Sequence, residues 1–136
     1  MNGLRGDLPL CLIDVSLPVS YTSTNGAKIG MCKSDGQSDS FTGKGFEVPD
    51  YLKGDIARSY FYLATCYWNK WTCCDEDGVN GSDIKPWMER LLRKWSADDP
   101  VDQYEMDRND KIYANWQHNR NPFIDHPEWV DEITDF

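Results

Sequence analysis

The spacing of hydrophobic positions predicts a long helix from Lys53 to about Trp71. Apolar residues recur there every three or four positions, which is the period of a helix that buries one wide face. They are Ile56, Ala57, Tyr60, Phe61, Leu63, Ala64, Tyr67, Trp68 and Trp71. Asp55 lies near the start, where a negative charge suits the positive end of the helix dipole. Gly54 has no side chain, so we expect either the close approach of another backbone or a simple entry turn.

A second helix is predicted from about Asp83 to Trp95. Ser82 or Asp83 would cap it, and Pro86 suits its first turn because the missing N–H costs nothing there. The apolar stripe of this helix consists of Trp87, Met88, Leu91, Leu92 and Trp95. Its spacing indicates that the helix packs on the protein core.

Two further helices are predicted where a side chain that can cap a helix precedes a proline. Asp99 and Pro100 would begin a third helix that runs to about Gln117. His126 and Pro127 would begin a short last helix in the same way.

The N-terminal part of the chain predicts a β-hairpin followed by a loop. Asn25 and Gly26 stand between two β-prone runs in the stretch from Tyr21 to Met31. Residues 34–45 are rich in Ser, Asp, Gly and Thr, which favour a surface loop. The expected fold class is α+β and mainly α-helical, with three to four packed helices and an N-terminal hairpin. The 136 residues are expected to form a single domain, 1–136.

The charge balance argues against a polyanionic partner. Fourteen Lys and Arg against 23 Asp and Glu give a formal net charge of -9. Proteins that bind nucleic acid gain much of their affinity from basic residues, so only a local cluster of Arg could reverse this expectation.

No apolar run approaches the length of a membrane span, and the segment after Met1 has no signal-peptide pattern. We therefore expect no membrane partner and no export signal in this sequence.

The five cysteines lack the paired spacing of a zinc module. Adjacent Cys73 and Cys74 lie in a polar stretch and suit disulfide chemistry in an oxidising compartment, and this is the favoured interpretation. Unpaired thiols in a reducing compartment are the alternative. The spacing does not define the partners of any disulfide.

Two charged residues interrupt the apolar stripe of the third predicted helix. The stripe consists of Val101, Glu105, Arg108, Ile112 and Trp116. Because an isolated buried charge costs several kcal/mol, Glu105 and Arg108 should pair with each other or with Arg58 on the first helix. A structural ion-pair network is the favoured interpretation. The alternative is a guanidinium that faces a phosphate.

The stretch from Gln117 to Glu128 is dense in hydrogen-bonding side chains and is expected to form a structural turn. His118 and His126, with Asp125 and Glu128 close by, could be imagined as a metal cluster. Spacing across a proline turn does not constrain these side chains, so we predict no metal site and no catalytic residue here.

Four ordered blocks of this sequence resemble the endonuclease I family. Residues 46–63 are similar to the segment of that family that leads into a long helix, and residues 95–112 to the block after it. Residues 117–128 resemble the family's Gln-Gly-Asn-Arg-Asn-Pro-Phe-Ile-Asp-His-Pro-Glu ending, with His118 in place of Gly. Residues 2–6 look like a remnant of its Val-Asn-Gly-x-Arg-Ser-Asn stretch. The resemblance covers nearly the whole chain.

The resemblance implies a metal-dependent nuclease of the His-Me finger (ββα-metal) class, from which one part is missing. In that family a histidine is the general base, and an Asn and a Glu hold a divalent metal. Those residues precede the Asn-Gly-x-Arg stretch, so we expect a C-terminal fragment with an incomplete His-Me finger fold. The family implies Mg²⁺ as the cofactor, but no catalytic residue and no metal ligand is identified in this chain.

The resemblance also implies an endonuclease that is secreted or periplasmic and that hydrolyses DNA and RNA without strong sequence preference. The chain would be its supporting half and inactive alone. The candidate nucleic-acid contacts are Arg58 and Arg120, followed by Arg5, Arg108 and Asn119. The alternative function is a non-catalytic helical binding module or a remnant without activity, which the net charge of -9 favours.

Overall fold

A computed structural model describes residues 6–70 and 77–136. Near the N-terminus, strands β1 (Tyr21–Thr22), β2 (Lys28–Met31) and β3 (Lys44–Glu47) form an antiparallel sheet in this order. The predicted hairpin is confirmed, because Tyr21 pairs with Ile29. Gly26 has a φ of 93° in the connecting turn, a conformation that glycine adopts without strain. The predicted loop ends at residue 43, since Lys44 and Gly45 belong to β3.

Helix α1 (Lys53–Cys66) follows a short 3₁₀ turn, and it crosses the centre of the molecule. It ends before the predicted Trp71: Tyr67 leaves the helical conformation with a φ of -108° and a ψ of 15°, and Asn69, two residues later, has a left-handed φ of 54°. Trp71 itself lies outside the described ranges. The apolar face of α1 buries Ala57, Phe61 and Ala64.

Helix α2 (Pro86–Asp98) begins later than predicted. The predicted cap Asp83 lies instead in a short hairpin of β4 (Val79–Asn80) and β5 (Asp83–Ile84). The backbone hydrogen-bonding groups of these residues are used in strand pairing. The helix therefore starts at Pro86, whose ring suits a first helical position. The predicted stripe is confirmed at its centre, since Met88, Leu92 and Trp95 are buried.

Helix α3 (Gln103–Ile112) is capped by Asp102, whose side chain accepts a hydrogen bond from the Glu105 N–H. The predicted cap, Asp99, instead accepts a hydrogen bond of 2.8 Å from the Gly54 N–H at the start of α1. The close backbone approach expected at Gly54 is confirmed, because a Cβ at this position would lie 2.0 Å from the Asp99 carbonyl oxygen.

After α3 the chain makes one π-helical turn (Tyr113–Gln117) and two single-turn helices, α4 (Pro122–Asp125) and α5 (Trp129–Glu132). The described part of the chain therefore has an α+β fold that is mainly helical, as predicted. None of its helices has both the length and the apolar character that a membrane crossing requires.

The main hydrophobic core lies between the sheet, α1 and α2. Three phenylalanines form its centre: the ring centroids of Phe61 and Phe136 are 4.3 Å apart, and Phe123 packs edge-on to both. The other large side chains that are almost fully buried in this core are Leu10, Ile84, Met88, Leu92 and Trp95. The buried surface of α1 continues from these apolar contacts to Asp55 and Arg58.

A disulfide joins Cys11 to Cys32 and ties the N-terminal segment to the end of β2. The expectation of disulfide chemistry came from Cys73 and Cys74, whereas the disulfide in the described part of the chain joins two other cysteines. Cys73 and Cys74 lie outside the described residues. Cys66 is exposed at the end of α1 and carries a free thiol.

Candidate functional site

A buried ion pair joins α1 to α3. The Arg58 side chain is 0% exposed, and its Nε donates to both carboxylate oxygens of Glu105 at 2.9 Å. Its Nη1 donates to the Asp99 carbonyl oxygen at 2.9 Å. Such a buried pair persists only when its geometry satisfies both charges, and here it does. The structure thus places Arg58, a candidate for nucleic-acid contact, inside the protein, where its guanidinium binds other parts of the chain.

Arg108 lies next to this pair but is held loosely. Its Nη2 is 3.8 Å from Glu105 Oε1 and 3.6 Å from Asp55 Oδ2, both longer than a normal hydrogen bond. Its Nε is buried and has no hydrogen-bond partner among the described residues. The predicted Glu105–Arg108 contact therefore exists only as a long ion pair, and Arg108 keeps unused donor capacity.

Asp55 is a third acidic group in the cluster. Burial, and after it the nearby charge of Glu105, raises the pKa of this carboxyl to about 6. Its separation of 3.6 Å from Arg58 Nη2 is too long for a strong hydrogen bond that would offset the burial. Asp55 is thus partly protonated just below neutral pH, which lowers the negative charge beside Arg108.

A cleft of about 230 Å³ opens between α1, α3 and the chain after the π turn. Half-buried Arg108 forms part of one wall. On the opposite wall the Asn119 side-chain amide donates to the Tyr62 hydroxyl. Burial raises the pKa of that hydroxyl, so it stays neutral and keeps its proton. The lining residues are Ser59, Tyr62, Leu63, Arg108, Asn109, Ile112, Gln117, Asn119, Asn121 and Ile124.

Two asparagines hold the cleft wall that contains Asn119 in place. Asn109 is buried on α3, and its Oδ1 accepts a hydrogen bond of 2.9 Å from the Asn121 N–H. The Asn121 side chain donates to the Arg58 carbonyl oxygen at 3.0 Å and caps α4 by accepting from the Phe123 N–H. The structural turn expected from Gln117 to Glu128 is confirmed for residues 118–121, whereas Pro122–Asp125 form the helix α4. Asn109 was not predicted as a site residue, although it follows Glu105 by one helical turn.

Arg120 is already bound on two sides. It makes a bidentate contact of 2.7 Å with Asp125 and reaches Asp110 at 2.5 Å. Hydrogen bonding from this guanidinium is the main reason that the pKa of Asp125 is lowered. Of the other candidates for nucleic-acid contact, Asn119 is exposed, and Arg5 lies outside the described residues.

The described residues do not fit a Mg²⁺ site. Within residues 6–70 and 77–136, no group of three or more His, Cys, Asp or Glu side chains is placed to hold a metal ion. Mg²⁺ is held by carboxylate oxygens, but the Glu105 carboxylate binds a guanidinium. His126 pairs with Glu128 at 3.2 Å and stacks on Trp129, while His118 ends the π turn with a left-handed φ of 55°. Among the described residues, neither histidine belongs to a group of three or more possible metal ligands.

Comparison with known proteins gives one family and two curated relatives. The sequence profile of the family described as Endonuclease I matches residues 1–128. An extracellular ribonuclease of Bacillus amyloliquefaciens is 45% identical over 97 residues, which cover 68% of this chain and 34% of the relative. An extracellular ribonuclease of Bacillus subtilis (strain 168) is 45% identical over 98 residues, with the same shares. The chain thus spans about one third of the length of these relatives. No solved structure matches it.

Proposed function

The chain belongs to the endonuclease I family, and from this premise we propose that it binds the phosphodiester backbone of nucleic acid without cutting it alone. The observation that carries the proposal is the state of Arg108. This residue lines the cleft between α1 and α3 and has a buried Nε without a partner among the described residues. Since phosphates are common to RNA and DNA, both are expected ligands.

A phosphate would satisfy Arg108 better than its present neighbours do. Charge-assisted hydrogen bonds of a guanidinium normally have lengths of about 2.7–2.9 Å. The Nη2 contacts with Asp55 and Glu105 are 3.6 and 3.8 Å. The Asn119 amide faces the same cleft, and the N–H that it does not donate to Tyr62 suits a phosphate oxygen. Arg58 and Arg120 support this cleft through their ion pairs.

Hydrolysis is not assigned to these residues. Cleavage of a phosphodiester needs an activated water and a cation that neutralises the developing charge. The described residues present neither a metal-ligand group nor a histidine placed as a base beside one. Mg²⁺-dependent cleavage, which the family implies, would therefore require residues other than these.

We also place the function outside the cytoplasm. Both relatives are extracellular by name, and disulfides such as Cys11–Cys32 persist in oxidising compartments.

The binding half of the proposal is tested by fluorescence anisotropy with a labelled oligonucleotide at low salt. Arg108→Gln is expected to raise the Kd by about tenfold and to reduce the salt dependence by about one counterion. Arg90→Gln is the matched control, because it removes the same charge from α2, where Arg90 binds Asp35 and Asp39. Circular dichroism verifies that both variants fold. Equal losses in the two variants, or no binding by the wild type, would overturn the proposal.

The second half is tested by a nuclease assay on the purified chain with Mg²⁺ and with a chelator. We expect no cleavage of RNA or DNA in either condition. Cleavage that needs Mg²⁺ and stops with the chelator would show that these residues do form an active site. A chain that neither binds nor cuts would support the second candidate, a helical module without nucleic-acid affinity, which the net charge of -9 favours.

A further inference from the structure

Two large aromatic side chains stand almost free on the outer side of α3 and the π turn. Tyr104 and Trp116 are each 70% exposed. They line a shallow groove of about 220 Å³ together with Arg108, Lys111 and Ile112. Exposed aromatic surface beside cationic side chains is a recurring feature of interaction sites.

Helical spacing explains why these residues share one surface. Tyr104, Arg108 and Lys111 follow each other at intervals of four and three residues, so they lie on one face of α3. Trp116 comes four residues after Ile112, within a π turn that has more residues per turn than an α-helix. Turns of this kind are frequent at functional sites, and here the turn places the indole in the groove of α3.

We propose that this groove binds unpaired bases of single-stranded nucleic acid by stacking, an inference that rests on the proposed function and names its substrate class. Bases of a single strand have free faces that can stack on tyrosine and tryptophan, whereas a duplex buries those faces. The groove is smaller than the roughly 300–1,000 Å³ of typical small-molecule sites, so it suits a planar base better than a cofactor.

The charges of the groove complement a strand that continues into the cleft. Arg108 lines both the groove and the cleft with Asn119, so one guanidinium lies where a backbone would pass between them. Lys111 is exposed and makes no ion pair with any described residue, which leaves its charge for a phosphate. Bases would thus occupy the aromatic groove while phosphates follow the two cations.

The test uses the full chain and labelled oligonucleotides of equal length: an adenine strand, an abasic strand with the same phosphates, and a duplex. Trp116→Ala and Tyr104→Ala are each expected to weaken binding of the adenine strand by about tenfold, since stacking contributes about 1–3 kcal/mol per base. Binding of the abasic strand should change by less than about twofold. Trp68→Ala is the matched control, because Trp68 is 72% exposed and lines neither the groove nor the cleft.

The outcomes separate this inference from the proposed function. If Arg108→Gln weakens binding of all three oligonucleotides while Trp116→Ala behaves like Trp68→Ala, the proposal of backbone binding stands and the proposal of base stacking is wrong. If the wild type binds no oligonucleotide, both are wrong. Analytical ultracentrifugation of the same samples tests another occupant: a wild-type dimer that Trp116→Ala converts to monomer would assign the groove to a second copy of the chain and overturn the inference.

Discussion

The α1–α2 pair and helix α3 are held in the molecule by opposite means. Where α1 meets α2, the fully buried side chains include Phe61 and Leu92, and Trp95 is nearly so. On α3 the buried side chains are Glu105 and Asn109, and both are polar. Hydrophobic burial is non-directional, whereas ion pairs and hydrogen bonds require defined geometry. The polar attachment of α3 therefore gives a precise position to the side chains on its outer face.

The largest effect is expected where the polar attachment is broken at Glu105. Glu105→Ala leaves the Arg58 guanidinium buried without its carboxylate, so the free energy of unfolding should fall by about 4 kcal/mol. Urea denaturation measures it. The double variant Arg58→Met/Glu105→Leu removes both charges and should be clearly more stable than Glu105→Ala. A loss below about 1 kcal/mol in the single variant would show that the pair does not hold α3.

The apolar contact between α1 and α2 is weakened by Leu92→Ala. Leu92 is 0% exposed in the core, and its truncation should cost about 3 kcal/mol through lost burial and the cavity left behind. The loss should be insensitive to salt. Leu92→Met conserves most of the volume and is the control, with an expected cost below about 1.5 kcal/mol. A similar cost for both variants would argue that packing at this position is loose.

A smaller and more local effect is expected at Asn109. Asn109→Ala removes the acceptor of the Asn121 N–H, and an unsatisfied buried donor costs about 2 kcal/mol. Hydrogen exchange should accelerate in residues 117–121 while α1 and α2 keep their protection. Gln103→Ala, at an exposed position of the same helix, is the control and should change stability by less than about 0.5 kcal/mol. Faster exchange throughout the chain would contradict a local role.

The smallest effect concerns pH. Burial raises the pKa of Asp55 from its ordinary 3.8 to about 6, so the folded protein binds this proton more tightly than the unfolded chain. The resulting stability is present below pH 3.8 and is lost as the pH rises through about 6. Between pH 5 and 7.5 the wild type should lose about 1 kcal/mol from this group, and Asp55→Asn should abolish that loss.

The control for the pH experiment is Asp14→Asn. Asp14 is exposed, and hydrogen bonds from Ser16 lower its pKa, so it stays ionised across the same range. This variant should retain the wild-type slope in pH-dependent denaturation. An unchanged slope in Asp55→Asn would assign the pH dependence to other groups.

The apolar and polar parts of the molecule also differ in how well they could be predicted from the sequence. Apolar spacing located α1 and α2, and Asn25–Gly26 located the hairpin, because hydrophobic periodicity and turn chemistry are local properties. Helix starts were less predictable. Asp99 and Asp102 can each cap a helix, and only the fold directs Asp99 to the Gly54 N–H and leaves Asp102 to cap α3.

For the candidate site, the sequence predicted only that the charged residues of α3 need ion-pair partners. Two charges in a helical stripe implied ion pairs, and Arg58 was among the partners considered. That Glu105 takes Arg58 and leaves Arg108 half-free depends on helix packing, which sequence spacing does not define. The Cys11–Cys32 disulfide was missed for the same reason, since five cysteines allow many pairings.

The absence of a side chain at Gly54 has a consequence beyond the contact itself. A Cβ there would lie 2.0 Å from the Asp99 carbonyl oxygen and 2.7 Å from Arg58 Nη2. Any larger residue would push the α2–α3 connection outward. The Asp99 carbonyl oxygen would then move away from Arg58 Nη1, and their hydrogen bond would be lost. Among related sequences, replacement of this glycine should therefore coincide with replacement of the arginine four positions later, a covariation that a family alignment would reveal.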